Sequence, residues 1–526
     1  MTWRTARTQR LVLSVLTVFA ASCGRGDAPE PAASATSRPI ATEERPPETA
    51  PAPPPEVRHE VPPRISALAR DAAEIARGPA LTAVDGYMRI YDQPDRRSQM
   101  IGLARAGQSV PLASPSPLTA GPHGEPLTAC DGGWYAVAPR GYACAGEGST
   151  LDPNDARALA AREVLPDVDS PVPFGVGSAI GSPAYTRIPS SAEQREKEPK
   201  LDDYLEHLPP PNAVGAIDIH PAGLGPSEAL RAYLAHPPSA LLGERAFPNR
   251  KVAWAKEFDA EGRTWLETPD LSLIPKDKVR PMTPSTLEGV DLVAHPELSL
   301  PLAFTLEDAK ELIPRTPKLA GRSTLMESGT VYARHSYVPI EPDPESVGGR
   351  VVWKTRAGAF VSADKVTVFF ARTKLPYTVR PGAKWIDVRV LRGTLVAYEG
   401  DKPVYATAVS PGRDGVTVRP RSHPTLPGLY QVQWKLFTAD MSGREGPVEW
   451  AVDEVPFVAY FYQGLALHEA YWHDDFGRPR SHGCVNLSPR SAEWLFRWMD
   501  PEIPRGWYAV AAYGRGVGTT VVDVRP

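Results

Sequence analysis

Short apolar–polar alternations, each broken within a few residues by proline, glycine or aspartate, constrain this chain more than any other feature. The run DGYMRIYDQPDRRSQMIGLARAGQSVPLA (85–113) is one example. Alternation of period two puts successive side chains on opposite faces of an extended strand, and the breakers end each strand early. The chain has 526 residues, 59 of them proline, roughly twice the usual share for that residue. A single core does not grow to this length, so a row of mainly β modules is expected. Net charge is −4, and no basic block points to a nucleic-acid partner.

The N-terminus reads MTWRTARTQRLVLSVLTVFAASCGRG. Arg4, Arg7 and Arg10 precede a short apolar stretch, Leu11 to Ala20, and small residues then lead into Cys23. The pattern is that of a secretory signal and is too short for a stable membrane span. Residues 1–23 resemble a bacterial lipoprotein signal, which implies lipidation of Cys23 and attachment to a membrane through that lipid. The alternatives are an ordinary signal peptide with a chance cysteine, or a retained anchor. Residues 24–80 follow as a proline-rich linker, poor in core-forming residues. A short helix is expected near its end, over SALARDAAEIAR (66–77).

Four cysteines serve an exported chain. Cys130 and Cys144 lie close together in ACDGGWYAVAPRGYACAG, and an oxidising compartment favours their pairing. The alternative is two buried free thiols. Cys484 is left over, and is either inert in a core or chemically employed.

Residues 81–150 order their short strands as bacterial SH3-like domains do, which implies a small β-barrel that holds or positions cell-wall peptides. Residues 165–295, with an insertion, and 320–375 read as weaker variants. PKDKV (275–279) and SADKV (362–366) recur in them as a sign of repeated modules. From Lys384 to about residue 515 the strands lengthen. KWIDVRVLRGTLVAYEGDKPVYATAVSPGRDG contains a hairpin, HPTLPGLYQVQWKLF adds a strand, and EVPFVAYFYQGLALHEAYWH leads into His468. After Cys484, Ser488 is a suitable N-cap and Pro489 a suitable first-turn residue for a short helix. Trp494, Leu495 and Trp498 are spaced to share its apolar face.

The stretch ALHEAYWHDDFGRPRSHGCVNLSP (466–489) holds three histidines and Cys484. A free thiol has a pKa near 8.5, so it needs a base to become a nucleophile at neutral pH. His468 and His482 are the candidates. His482 is two residues from Cys484 and on a regular strand would share its face. The amides of Gly483 and Cys484 are placed to form an oxyanion hole. A zinc site from His468, His473, His482 and Cys484 has donors enough but no established ligand spacing, so no metal and no cofactor are expected. His473, Asp474 and Asp475 read as a solvated loop near a substrate entrance.

His468 followed by Ser481-His482-Gly483-Cys484-Val485-Asn486, together with the upstream HPTLPG, resembles the signature of bacterial L,D-transpeptidases. The resemblance implies a β-sandwich-like catalytic domain in which Cys484 attacks the meso-diaminopimelate carbonyl of a peptidoglycan stem peptide. It makes His468 the general base, has His482 line the site, and has Ser481 and Asn486 hold the loop as substrate-binding residues. It also implies a cell-envelope, extracytoplasmic location. Glu469 stands where that family often has Gly or Ser. The change is harmless if a backbone carbonyl orients the imidazole, and harmful if a side-chain hydroxyl must. A hydrolytic variant on the same thiol, or a non-catalytic wall-binding scaffold, remain the alternatives.

Overall fold

The computed structural model describes residues 66–146, 148–208, 241–243, 245–315, 324–419, 422–445, 447–514 and 517–526. Cys23, the signal and most of the linker lie outside them. The architecture is mainly β, in several sheets. Among the described residues no helix is long and apolar enough to cross a membrane.

Two sheets enclose the largest core. One orders its strands Val290–Asp291, Lys402–Ala408, Thr394–Glu399, Lys384–Arg389, Val521–Arg525 and Gly428–Gln431. The other is built on the long hairpin of Trp434–Glu445 and Val448–Tyr462, continued by Leu465–Glu469 and Val485–Leu487. Ile386, Val388 and Leu395 from the first sheet meet Phe457, Phe461, Leu467 and Leu487 from the second, with Leu495 and Phe496 of the helix Pro489–Trp498. Each such side chain contributes about 1.5–3 kcal/mol on burial, and together they fix the sheet that carries the cysteine. In the helix, Leu495 is buried as its spacing requires. Trp494 instead stacks on Tyr405 (4.1 Å) and faces Trp498 (5.8 Å) at the half-buried edge.

The sandwich does not end near residue 515. Val521–Arg525 pairs in parallel with Lys384–Arg389, so the last residues of the chain supply an interior strand. Nothing local in the sequence marks a parallel partner more than a hundred residues away. Val290–Asp291 likewise pairs with Lys402–Ala408 and belongs to this sheet rather than to the module placed at 165–295.

The upstream modules are not beads beside the sandwich. Met100–Arg105 pairs with Ala509–Ala511, and Tyr87–Tyr91, Tyr142–Cys144 and Trp134–Ala136 extend the same sheet. On the other side Val452 pairs with Lys251, bringing in Lys251–Trp254 and Gly175–Ala179. Gly102 is required at the first junction, because a Cβ there would lie 2.2 Å from the Trp507 ring. Beneath it, buried Arg105 makes a two-pronged pair with Glu454 (2.7 and 2.6 Å) and donates to the Tyr508 hydroxyl (2.8 Å). Cys130 and Cys144 are joined as a disulfide, with Cα atoms 5.8 Å apart.

A separate seven-stranded sheet begins at Leu302–Thr305, upstream of the 320–375 limits read from sequence, and runs to Val366–Phe369. Its Leu302, Phe304 and Phe369 pack against Trp385 and Tyr398 of the sandwich. PKDKV and SADKV follow the same path, a strand, one 3₁₀ turn and a second strand.

Candidate active site

Leu465–Glu469 and Val485–Leu487 run parallel, with His468 opposite Asn486 and Glu469 opposite Leu487. Side chains alternate along a strand, so His468 and Asn486 share one face while Glu469 and Leu487 share the other. Cys484 immediately precedes this strand. It is half-buried and packs with Ala466, Tyr460 and Trp472. His468 also stacks on Trp472, at 5.9 Å between ring centres. Cysteine and histidine are thereby brought to the same side of the sheet from opposite ends of the motif.

His468 is buried, and its Nδ1 lies 2.6 Å from the Glu469 carbonyl oxygen. A carbonyl only accepts, so Nδ1 carries the proton and Nε2 is left with its lone pair. The backbone therefore orients the imidazole, and the Glu469 side chain is not needed for it. That side chain turns into the core, where neither carboxyl oxygen has a hydrogen-bond partner among the described residues and burial pushes its pKa well up. It is held as a neutral acid.

Burial pushes His468 down to about 4 and the Cys484 thiol up to about 11. A hydrogen bond from the Ala466 amide offsets the thiol's rise in part. The Cys484 Sγ–H points at the Gly464 carbonyl, 3.8 Å away. At neutral pH both groups rest uncharged.

The loop into Cys484 is locked by short polar contacts. The Ser481 hydroxyl donates to the Cys484 carbonyl (2.5 Å) and accepts the Gly483 N–H (3.0 Å). The Gly483 amide is thus already engaged, which removes it from the oxyanion role read from sequence. Its role is conformational: φ is +120°, and a Cβ would lie 3.1 Å from the Pro424 carbonyl oxygen. Thr425, fully buried in the HPTLPG element, accepts the Gly412 N–H (2.7 Å) and donates to the Gly483 carbonyl (2.8 Å). In the sequence HPTLPG marks a strand entry and a family resemblance, and this support by Thr425 is not foreseen there. A threonine between two prolines was the available signal.

His482 does not share a strand face with Cys484. The chain bends through 482–484, and the positive φ of Gly483 breaks the alternation. His482 stacks flat on Trp450 (4.8 Å) and meets His423 edge-on (4.8 Å). Its Nε2 is 3.5 Å from Glu445, which also lies 3.0 Å from His423. The three potential ligand atoms of His423, Glu445 and His482 lie within 4.8 Å of one another. Arg413 also pairs with Glu445, so this carboxylate already has a cationic partner. The four donors weighed for zinc from sequence do not assemble, because His482 belongs to this second cluster.

His473 is likewise not a freely solvated residue. It is half-buried, packs on Phe476 (4.9 Å), and its Nε2 lies 3.0 Å from the Asn486 side-chain amide. Its Nδ1 accepts the Asp475 N–H (3.3 Å), so Nε2 carries the proton. Asn486 Nδ2 stands 3.0 Å from Nε2, where two N–H groups would meet, so the amide is assigned the flipped orientation, which puts the otherwise orphaned Oδ1 on that proton. Burial pushes His473 down to about 4. Asn486 is thus a structural link between the cysteine strand and the His473 loop. Arg334, in the turn between Leu325–Tyr332 and Tyr337–Val347 of the seven-stranded sheet, secures that loop through Asp474 (2.6 Å).

The model of one protein family, YkuD, the L,D-transpeptidase catalytic domain, matches residues 383–523. The match runs from Lys384–Arg389 into Val521–Arg525 and contains the whole cysteine–histidine motif. Among solved structures, the catalytic domain of an E. faecium L,D-transpeptidase is 20% identical, with a TM-score of 0.21, over 27% of this chain and 98% of that one. An L,D-transpeptidase from Mycobacterium smegmatis is 16% identical (TM-score 0.22), over 47% of this chain and 89% of that one. One from Stackebrandtia nassauensis is 23% identical (TM-score 0.19), over 31% and 60%. None of the curated proteins compared matches the chain.

Proposed function

We propose that residues 383–523, an L,D-transpeptidase catalytic domain by family, use Cys484 to transfer the acyl group of a peptidoglycan tetrapeptide stem to an acceptor amine outside the cytoplasm. The observation that carries this reading is the Nδ1–H of His468 on the Glu469 carbonyl, which leaves Nε2 as a base on the thiol's side of the sheet.

The resting charges support proton transfer in step with attack. With burial holding His468 down near 4 and the Cys484 thiol up near 11, both groups favour their neutral forms before substrate arrives. The thiol therefore loses its proton to Nε2 as sulfur attacks, which is general-base catalysis rather than a standing ion pair. A C–S bond forms at the diaminopimelate carbonyl. The C–N bond to the terminal D-alanine breaks, and the imidazolium returns its proton to that leaving amine. An acceptor amine then attacks the thioester, gives a proton to Nε2, and restores the thiol. The Cys484 amide is assigned to the developing oxyanion. Ser481 and Thr425 hold the loop, and His482 flanks it on the Trp450 side. The signal and Cys23 are assigned to export and lipid attachment, with the linker as tether.

Incubating the protein with tetrapeptide muropeptides, beside Cys484→Ala, tests this by mass spectrometry. Cross-linked dimers that need the thiol are expected. Shortened monomers alone would make the domain a hydrolase, and thiol-independent or absent products would reject the assignment.

A further inference from the structure

A cleft of about 500 Å³ opens outside the machinery described above, and Cys484 is not among its walls. It falls within the roughly 300–1,000 Å³ of small-molecule sites. Its walls come from distant parts of the chain: Gln99 of the first β module, Tyr377 ahead of the sandwich, Gln433 and Trp434 of the long hairpin, Tyr462, and Tyr513 near the C-terminus. Tyr377 is 93% exposed and Tyr513 46% exposed, and both glutamines are exposed. Aromatic faces joined to side-chain amides suit a ligand with apolar C–H faces and many hydroxyl and acetamido groups. Neither an anion nor a metal ion matches such a lining.

The cleft is in register with the active site. Ala466, Tyr460, Trp434 and Ala511 stand opposite one another across consecutive strands. Cys484 lies level with Ala466, one residue before the pair of Val485 and Leu467. Three strand spacings separate Cys484 from Trp434, about 14 Å. A stem whose third residue sits at the thiol spans at most about 10–11 Å back toward its sugar, at about 3.3–3.6 Å per extended residue, so the sugar meets the near wall of the cleft before it reaches Trp434. The near wall, Tyr462, is two residues from Gly464, whose carbonyl faces Sγ.

We propose that this cleft is a saccharide subsite that holds the N-acetylated disaccharide of the donor stem, and that the first β module, through Gln99, is part of the substrate site. The proposal rests on the transpeptidase reading and adds glycan recognition to it. The enzyme then prefers donors still attached to the glycan strand over free stem peptides.

Two measurements on the full chain test it. The peptidoglycan disaccharide without its stem is titrated calorimetrically into the parent and into Gln99→Ala/Tyr377→Ser, two exposed positions. Saturable binding is expected, about tenfold weaker in the variant, equivalent to about 1.4 kcal/mol. No saturable binding to the parent, or equal affinity in the variant, overturns the subsite. In parallel, KM is compared for disaccharide-tetrapeptide and free tetrapeptide. A lower KM for the glycosylated donor is expected in the parent, with the ratio moving toward one in the variant. Equal KM values in the parent also overturn the proposal. Absence of thiol-dependent turnover on both substrates rejects the transpeptidase reading instead, and calorimetry still decides the cleft.

Discussion

The pH dependence of turnover separates the buried-base mechanism from an ordinary cysteine–histidine pair. His468 is buried, with its Nδ1–H spent on the Glu469 carbonyl, and desolvation brings it down to about 4. The acid limb of kcat/KM reports the free enzyme's essential base. At pH 5.5 a base of pKa near 4 is about 97% neutral, whereas one at the unperturbed value near 6.5 is only about 9% neutral. The enzyme should therefore keep nearly all its acyl-transfer rate at pH 5.5. The assay is initial-rate release of D-alanine from a tetrapeptide muropeptide between pH 4 and 8. Folding must be followed alongside, because the same shift is linked to stability. A histidine whose folded pKa is depressed takes up its proton first in the unfolded chain, so stability is intact above about pH 6.5 and falls as pH drops toward 4. The loss reaches about 3 kcal/mol for His468 and a similar amount for His473 by pH 4. Half-loss of rate near pH 6.5 in a protein that is still folded would refute the argument that burial sets this base.

Other outcomes follow from single contacts. Glu454→Ala strands the buried Arg105 at the junction of the first module and the sandwich. It should cost about 3–5 kcal/mol in chemical denaturation, whereas the apolar pair Arg105→Met/Glu454→Leu should recover most of the loss. Thr425→Val removes the hydroxyl shared by the Gly412 amide and the Gly483 carbonyl. It should cost about 1–3 kcal/mol and lower kcat, since the loop that aims Cys484 loosens; unchanged kcat would separate the loop from the chemistry. The family resemblance implies that a carbapenem acylates Cys484, so intact mass should rise by one inhibitor in the parent and stay constant in Cys484→Ala.

Local patterns carried far in this chain. Alternation and breakers made the architecture mainly β, because strand periodicity is a property of neighbouring residues. His468, Ser481, Cys484 and Asn486 were legible as one constellation from a short motif. The helix after Cys484 was legible from Pro489 and its apolar spacing. Whether Glu469 harmed the site was open in sequence, since a side-chain oxygen and a backbone carbonyl offer the same hydrogen bond. Only the structure assigns it to the backbone.

Tertiary structure decided whatever depends on which distant surfaces meet. Met100–Arg105 joins Ala509–Ala511 and Val521–Arg525 joins Lys384–Arg389 through backbone hydrogen bonds, which carry no side-chain signature in either strand. His482 lies on Trp450 rather than with the thiol because the bend through 482–484, with its positive φ at Gly483, breaks the strand alternation between His482 and Cys484. His473 moved the other way, drawn from an apparent polar loop to Asn486. Residue type and spacing determine what chemistry a segment can do. The fold determines which lone pairs and N–H groups remain free to do it, because each is spent or spared by a partner far away in the chain.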